Sequence, residues 1–210
     1  EREREEMESV FGMVGDGFAV VAADTSATSS ILVHKNNEDK VMVLDSHKLL
    51  GASGEPGDRV QFTEYIQKNV HLYQFRNGIP LTTAAAANFT RGELAYALRK
   101  NPYNVNILMA GYDKGIGPSL YFIDYLATLH KVDKGAFGYG SFFCLSLMDR
   151  HYHSGMSLDE AIELVDRCIM EIRSRLVIAP PNFLIKIVDK DGAREYAWRE
   201  SIKDAEATAA

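Results

Sequence analysis

The aspartate Asp24 ends a run of apolar and small residues, Phe18-Ala19-Val20-Val21-Ala22-Ala23, and Lys40 follows it on a later segment. A carboxylate carried into such a strand has to be paired or solvated, because burying it alone costs on the order of several kcal/mol. From spacing alone, Asp24 and Lys40 read first as a structural ion pair. The alternative is a catalytic dyad, in which a lysine held by a carboxylate lowers the proton affinity of a neighbouring nucleophile.

The other residues able to do chemistry read more simply as structure. Asp189-x-Asp191-Gly192 opens like a calcium loop but lacks the glutamate at its twelfth position, so a hairpin turn is expected. His151 and His153 are two residues apart at the end of an expected helix, which puts them on different faces with no second cluster to complete a metal site. Gly138-Tyr139-Gly140-Ser141 precedes a helix as an anion loop would. Without a following Lys-Ser/Thr, though, it reads as close backbone packing. Asn88-Phe89-Thr90 matches a glycosylation sequon inside an expected helix and is discounted. Cys144 and Cys168 have no metal or redox spacing and read as reduced core thiols, which favours an intracellular compartment.

The elements that must position these residues alternate in blocks. A strand from Val10, the turn Gly15-Asp16-Gly17 and a strand from Phe18 form an expected hairpin, since glycine and aspartate tolerate the positive φ of tight turns. A second hairpin is expected between Ile31–Lys35 and Lys40–Leu44, with a further strand over Lys48–Ser53. The period then becomes helical over Pro56–Asn77, where Pro56 suits the first turn and Gly78 the stop. A second helix is expected over Thr83–Lys100. Strands follow over Asn104–Tyr112 and Leu120–Leu129, then helices over Ser141–Tyr152 and Leu158–Arg175. Ser157-Leu158-Asp159-Glu160 is a capping box. Strands over Phe183–Val188 and Arg194–Trp198 close the chain.

Such segregated runs favour an α+β fold of antiparallel sheets with helices on their outer faces, a four-layer αββα sandwich. A single domain is expected over residues 7–198. Residues 1–6 form a charged leader before a natural start at Met7, and residues 199–210 a polar tail. Of 210 residues, 46% are apolar and 25% charged, which excludes disordered and collagen-like classes. The net charge of −6 and the lack of a basic run leave phosphate neutralisation without a source, so no nucleic-acid partner is expected. No apolar stretch is long enough to span a bilayer, so no membrane partner is expected either.

Several segments together resemble a β subunit of the 20S proteasome: Val20-Val21-Ala22-Ala23-Asp24, Lys40-Val41, Leu108-Met109-Ala110-Gly111-Tyr112-Asp113, Gly138-Tyr139-Gly140-Ser141 and Met148-Asp149-Arg150. The likeness runs from about Met7 to Trp198. Gly54-Glu55-Pro56-Gly57-Asp58, Glu64 to Asn69 and Thr83 to Thr90 narrow it to one place in the ring, the fourth. The resemblance implies the N-terminal-nucleophile hydrolase sandwich. It also implies a threonine nucleophile in active members, supported by a lysine, an aspartate, a serine-bearing glycine turn and a late Asp/Ser pair. Here the aspartate matches Asp24 and the lysine Lys40. The nucleophile would fall within Met7-Glu8-Ser9, which holds no threonine and no preceding glycine for self-cleavage. Tyr139 stands at the supporting serine, and Leu176 and Ala179 at the late pair.

The resemblance therefore implies a non-catalytic structural subunit, with no catalytic, cofactor or metal residues of its own. It would support ATP- and ubiquitin-dependent protein degradation by closing a ring and walling a chamber. Its implied partners are neighbouring β subunits in a heteroheptameric ring, the opposing β ring and α-ring subunits, in cytoplasm and nucleus. The alternative is an autonomous amidohydrolase using Ser9, the one hydroxyl near the required place.

Overall fold

The structure is a computed structural model and describes residues 8–29 and 32–201. Its elements follow in chain order. The first six strands are β1 (Ser9–Val14), β2 (Phe18–Asp24), β3 (Ala27–Ser29), β4 (Leu32–Lys35), β5 (Val41–Asp45) and β6 (Lys48–Gly54). Helices α1 (Pro56–Asn77) and α2 (Thr83–Ala97) come next. Strands β7 (Val105–Asp113), β8 (Gly117–Ile123), β9 (Leu129–Val132) and β10 (Lys134–Gly138) follow. Helices α3 (Ser141–His151) and α4 (Leu158–Arg175) then lead to β11 (Phe183–Asp189) and β12 (Gly192–Arg199).

Two five-stranded antiparallel sheets carry the fold, in the orders β10-β1-β2-β11-β12 and β5-β6-β7-β8-β9. The sequence of β2 is apolar without a break because both of its faces are covered. Val20 and Ala22 enter a core shared with Cys168, Ile169 and Ile172 of α4, while Ala19, Val21 and Ala23 enter the layer between the sheets with Leu49, Leu108 and Leu120. The second sheet packs its other face on α1 and α2 through Phe62, Ile66, Ala86 and Leu94. These three apolar layers make the four-layer αββα sandwich.

Local chemistry sets the helix ends. Pro56 stands in the first turn of α1, and Gly78 closes it at φ 70° with its N–H on the Gln74 carbonyl. The Ser157 hydroxyl accepts the Glu160 N–H while the Glu160 carboxylate accepts the Ser157 N–H, so the expected capping box stands at the start of α4. The expected turn at Asp189–Gly192 joins β11 to β12, with Gly192 at φ 113°.

Three expectations need correction. Of the expected hairpin Ile31–Lys35 with Lys40–Leu44, Ile31 lies outside the described residues and the rest do not pair: β4 pairs with β3 in a separate two-stranded sheet, and β5 pairs with β6. The reason is that the segment 36–40 runs out of the hairpin into the charged site described below, where Glu38 and Lys40 are held. The expected strand to Leu129 stops at Ile123. There Asp124 turns the chain, its Oδ1 accepting the N–H groups of Leu126 and Thr128, and Ala127 adopts φ 63°. Helix α2 ends at Ala97 and passes through a turn closed by the Lys100 N–H on the Ala97 carbonyl. The leader, Met7 and residues 202–210 of the tail lie outside the described residues. Arg199, placed in the tail by sequence, ends β12 and pairs with Asp166.

Candidate functional site

Asp24 and Lys40 do meet. Asp24 is fully buried at the end of β2. Its Oδ2 accepts the Ser9 N–H at 2.6 Å, and its Oδ1 accepts the Ser26 N–H at 3.0 Å and the Lys40 Nζ at 3.0 Å. Lys40 is buried immediately before β5 and gives a second, shorter contact, 2.8 Å from Nζ to Glu8 Oε1. Glu8 Oε2 accepts the N–H of Gly54 at the end of β6 at 2.9 Å. Arg59, in the first turns of α1, brings its Nε to 3.9 Å from Glu8 Oε1 and pairs with Glu38. A chain of charges thus runs Asp24–Lys40–Glu8–Arg59–Glu38, three carboxylates to two cations, and ties both sheets to α1.

Burial and the local charges together set the proton affinities. Burial pushes the Asp24 carboxyl above its ordinary 3.8, the Glu8 charge adds to this, and Lys40 only partly opposes them. Burial acts to lower Lys40, but Asp24 and Glu8 together outweigh it and hold the ammonium above its ordinary 10.5. The two shifts agree: one cation shared by two carboxylates is doubly favoured, and the deeper carboxylate bears the desolvation. At Glu38 burial is outweighed by the Arg59 guanidinium, and its carboxyl lies below 4.5.

Neighbouring residues along a strand face opposite ways. Glu8 turns to Lys40, whereas Ser9 shares the face of Phe11 and Met13 and points into the α3–α4 side. A methyl group built on Gly140 would stand 2.3 Å from Ser9 Oγ and 3.1 Å from Ile172 Cδ1, which locates the hydroxyl. Among the described residues Ser9 Oγ has no hydrogen-bond partner. The Ser9 hydroxyl is therefore not on the lysine, and the arrangement that an amidohydrolase using Ser9 would need is not formed. The turn before α3 is packed as tightly as expected: a Cβ on Gly138, at φ 76°, would lie 2.0 Å from the Glu8 carbonyl oxygen. The Tyr139 ring lies tilted against Phe142, 6.3 Å between centroids, and Leu176 caps the end of α4.

A cleft of about 330 Å³ opens beside Lys40, lined by Lys35, Glu38, Asp39, Met42 and Arg59 among others. Its carboxylates are already used: Glu38 by Arg59, Asp39 by Lys186 at 2.5 Å, and Glu64 by Lys68 at 2.8 Å. The remaining sequence candidates stay apart from the site. His151 and His153 are exposed, Asn88 turns its amide back to the Ala84 carbonyl, and Cys144 and Cys168 are buried free thiols. Among the described residues no group of three His, Cys, Asp or Glu side chains could hold a metal. No described helix is long and apolar enough to cross a membrane. Sequence reasoning missed Glu8, Arg59 and Glu38. No local signal marks them, because only the tertiary approach of β6, β2 and α1 around Lys40 brings them together.

The family model for proteasome subunits matches residues 7–188, which take in all four described helices and every described strand up to β11, leaving β12 outside. The chain belongs to the proteasome subunit family. Its sandwich is that family's N-terminal-nucleophile hydrolase fold. Among curated relatives, the chain is 82% identical to proteasome subunit beta type-2-A of Arabidopsis thaliana, covering 94% of this chain and 97% of the relative. It is 76% identical to proteasome subunit beta type-2 of Oryza sativa subsp. japonica, covering 92% and 91%. It is 40% identical to proteasome subunit beta type-4 of Saccharomyces cerevisiae, covering 90% and 96%.

Proposed function

We propose that the chain is a non-catalytic β subunit of the 20S proteasome core, acting through assembly with other proteasome subunits to close a ring and wall its chamber. The observation that carries this reading is the identity of the group on Lys40. A hydrolase of this fold needs a hydroxyl there, whose proton the lysine makes easier to remove. Here that place is taken by the Glu8 carboxylate at 2.8 Å, which has neither hydroxyl nor thiol.

The lysine is also spent electrostatically. With Asp24 and Glu8 both on one ammonium, its field is cancelled rather than directed at a reacting group. The supporting positions agree: Leu176 and Ala179 carry neither hydroxyl nor carboxylate, and Tyr139 puts a bulky phenol where the resemblance expects a serine. What remains is a buried ionic clasp between β1, β2, β6 and α1. That clasp makes a stiff wall element. The compartments we propose are cytoplasm and nucleus, which the family resemblance implies.

The test is the size of the native assembly. A tagged full-length chain expressed in cells should elute on gel filtration with a particle of many subunits that has peptidase activity. Elution as a monomer or small oligomer would overturn the reading.

A further inference from the structure

Helix α1 is longer than the sheet it covers. Val70 is its last buried residue, and every residue from His71 to Pro80 is exposed, so the last turns and the following loop overhang the body of the chain. This overhang is unusually apolar for a surface. Phe75 is 88% exposed and Ile79 58%, with Leu72 and Tyr73 beside them. Large exposed apolar groups held together in this way mark interaction sites.

The overhang is also ordered by its own chemistry. Gly78 closes the helix in the left-handed conformation, and the Asn77 amide donates to the Tyr73 carbonyl at 2.8 Å. A segment held in shape before it docks loses little freedom on docking. Its charge is equally distinctive. In a chain of net charge −6, no Asp or Glu stands between Glu64 and Glu93, while Lys68, Arg76 and Arg91 do. Lys68 is paired with Glu64, whereas among the described residues Arg76 has no carboxylate partner.

We propose that the end of α1 is a docking arm, with Phe75 as its anchor and Leu72 and Ile79 around it, seated in an apolar groove rimmed by carboxylates on a different subunit of the assembly. The rim follows from Arg76, which needs a counter-charge once the apolar groups around it are covered. A second copy of this chain fits poorly. Two arms brought together would set Arg76 against Arg76. Nor do two clefts of this chain suit a phenyl ring with a basic neighbour: in the one beside Lys40 the carboxylates Glu38, Asp39 and Glu64 are taken by Arg59, Lys186 and Lys68, and in the one between α3 and α4 Glu163 is taken by Arg167 and Glu160 by Ser157.

This inference rests on the reading of the chain as an assembly subunit, and the test separates the two. In cells expressing the tagged full-length chain, Phe75 is replaced by the photo-cross-linking residue p-benzoylphenylalanine and the cross-linked peptide is sequenced by mass spectrometry. The expected product joins this chain to another subunit, at a segment with Asp or Glu beside apolar residues. A product joining two copies of this chain, a lipid adduct, or no product within the assembled particle overturns the arm. In parallel, Phe75→Asp should lower the fraction of chain found in the large assembly by roughly tenfold to a hundredfold, the effect of removing one buried anchor. Arg76→Glu should lower it by less, and Arg76→Lys should leave it near wild type. Entry of Phe75→Asp at the wild-type level also overturns the arm. A wild-type chain that never enters a large assembly refutes instead the subunit reading on which the arm depends.

Discussion

Replacing Lys40 by methionine removes the one cation shared by Asp24 and Glu8 while keeping most of the side-chain volume. Both carboxylates are then left buried without it. Asp24 keeps only the Ser9 and Ser26 N–H groups, and Glu8 keeps the Gly54 N–H and the more distant Arg59. Taking one partner from a buried ion pair costs about 3–5 kcal/mol. Two stranded carboxylates argue for the middle of that range or above, while the surviving N–H bonds argue against its top. We therefore expect a loss of about 4 kcal/mol at pH 7, roughly a thousandfold in the ratio of folded to unfolded chain.

The loss should depend on pH with a definite sign. Burial and Glu8 already push the Asp24 carboxyl up, and without Lys40 nothing of opposite charge opposes them. A carboxyl whose folded value is raised stabilises the fold below its unfolded value and loses that contribution as pH rises through the folded value. The deficit of the variant should therefore shrink on going from pH 7 to pH 5. Urea unfolding followed by far-UV circular dichroism measures both quantities. At a slope of about 2 kcal/mol/M the midpoint should fall by about 2 M at pH 7 and by less at pH 5. A loss under about 1 kcal/mol, or a deficit that grows with acidity, would refute the reasoning.

Two further substitutions probe separate parts of the account. Ser9→Ala removes a buried hydroxyl that has no partner. Stability should stay level or rise by about 1 kcal/mol, and the peptidase activity of particles containing the variant should not change; a loss of either points to a role for the hydroxyl. Ser157→Ala removes the side-chain cap of α4 and should cost about 1 kcal/mol, read as a melting temperature lower by about 2–4 °C. An unchanged melting temperature would show that the capping box does not hold the helix start.

The parts of the fold legible in sequence are those whose signal is local. The helical stripe of Ile162, Val165, Cys168, Ile169 and Ile172 with its capping box gives α4 over the residues observed, and Pro56 with Gly78 bounds α1. The unbroken apolar run of β2 foretells a strand covered on both faces, as found. Pairing was harder. Asn36-Asn37-Glu38-Asp39 has the composition of a hairpin turn, but the tertiary demand of Arg59 and Asp24 pulls Glu38 and Lys40 into the charge cluster, so β4 turns back to β3 instead. Strands β9 and β10 are short and carry lysine, histidine and glycine, so neither a period of two nor an apolar run marks them.

At the candidate site, the Asp24–Lys40 pair followed from the cost of an unpaired buried carboxylate. Glu8 did not follow. Attention there goes to the threonine that the segment lacks, and an acid next to a strand start carries no local sign of burial. Only the approach of β6, β2 and α1 around one lysine reveals it as the second counter-ion.

The most direct test of a non-catalytic subunit is a covalent one. Assembled particles containing this chain are treated with an electrophilic peptide probe that bonds to an activated hydroxyl, and each subunit is then weighed by intact mass spectrometry. The account predicts adducts on other β subunits and an unshifted mass for this chain. A probe adduct on this polypeptide, mapped to Ser9 or to the residues beside it, would contradict the claim that the Glu8 carboxylate has replaced the reacting group on Lys40.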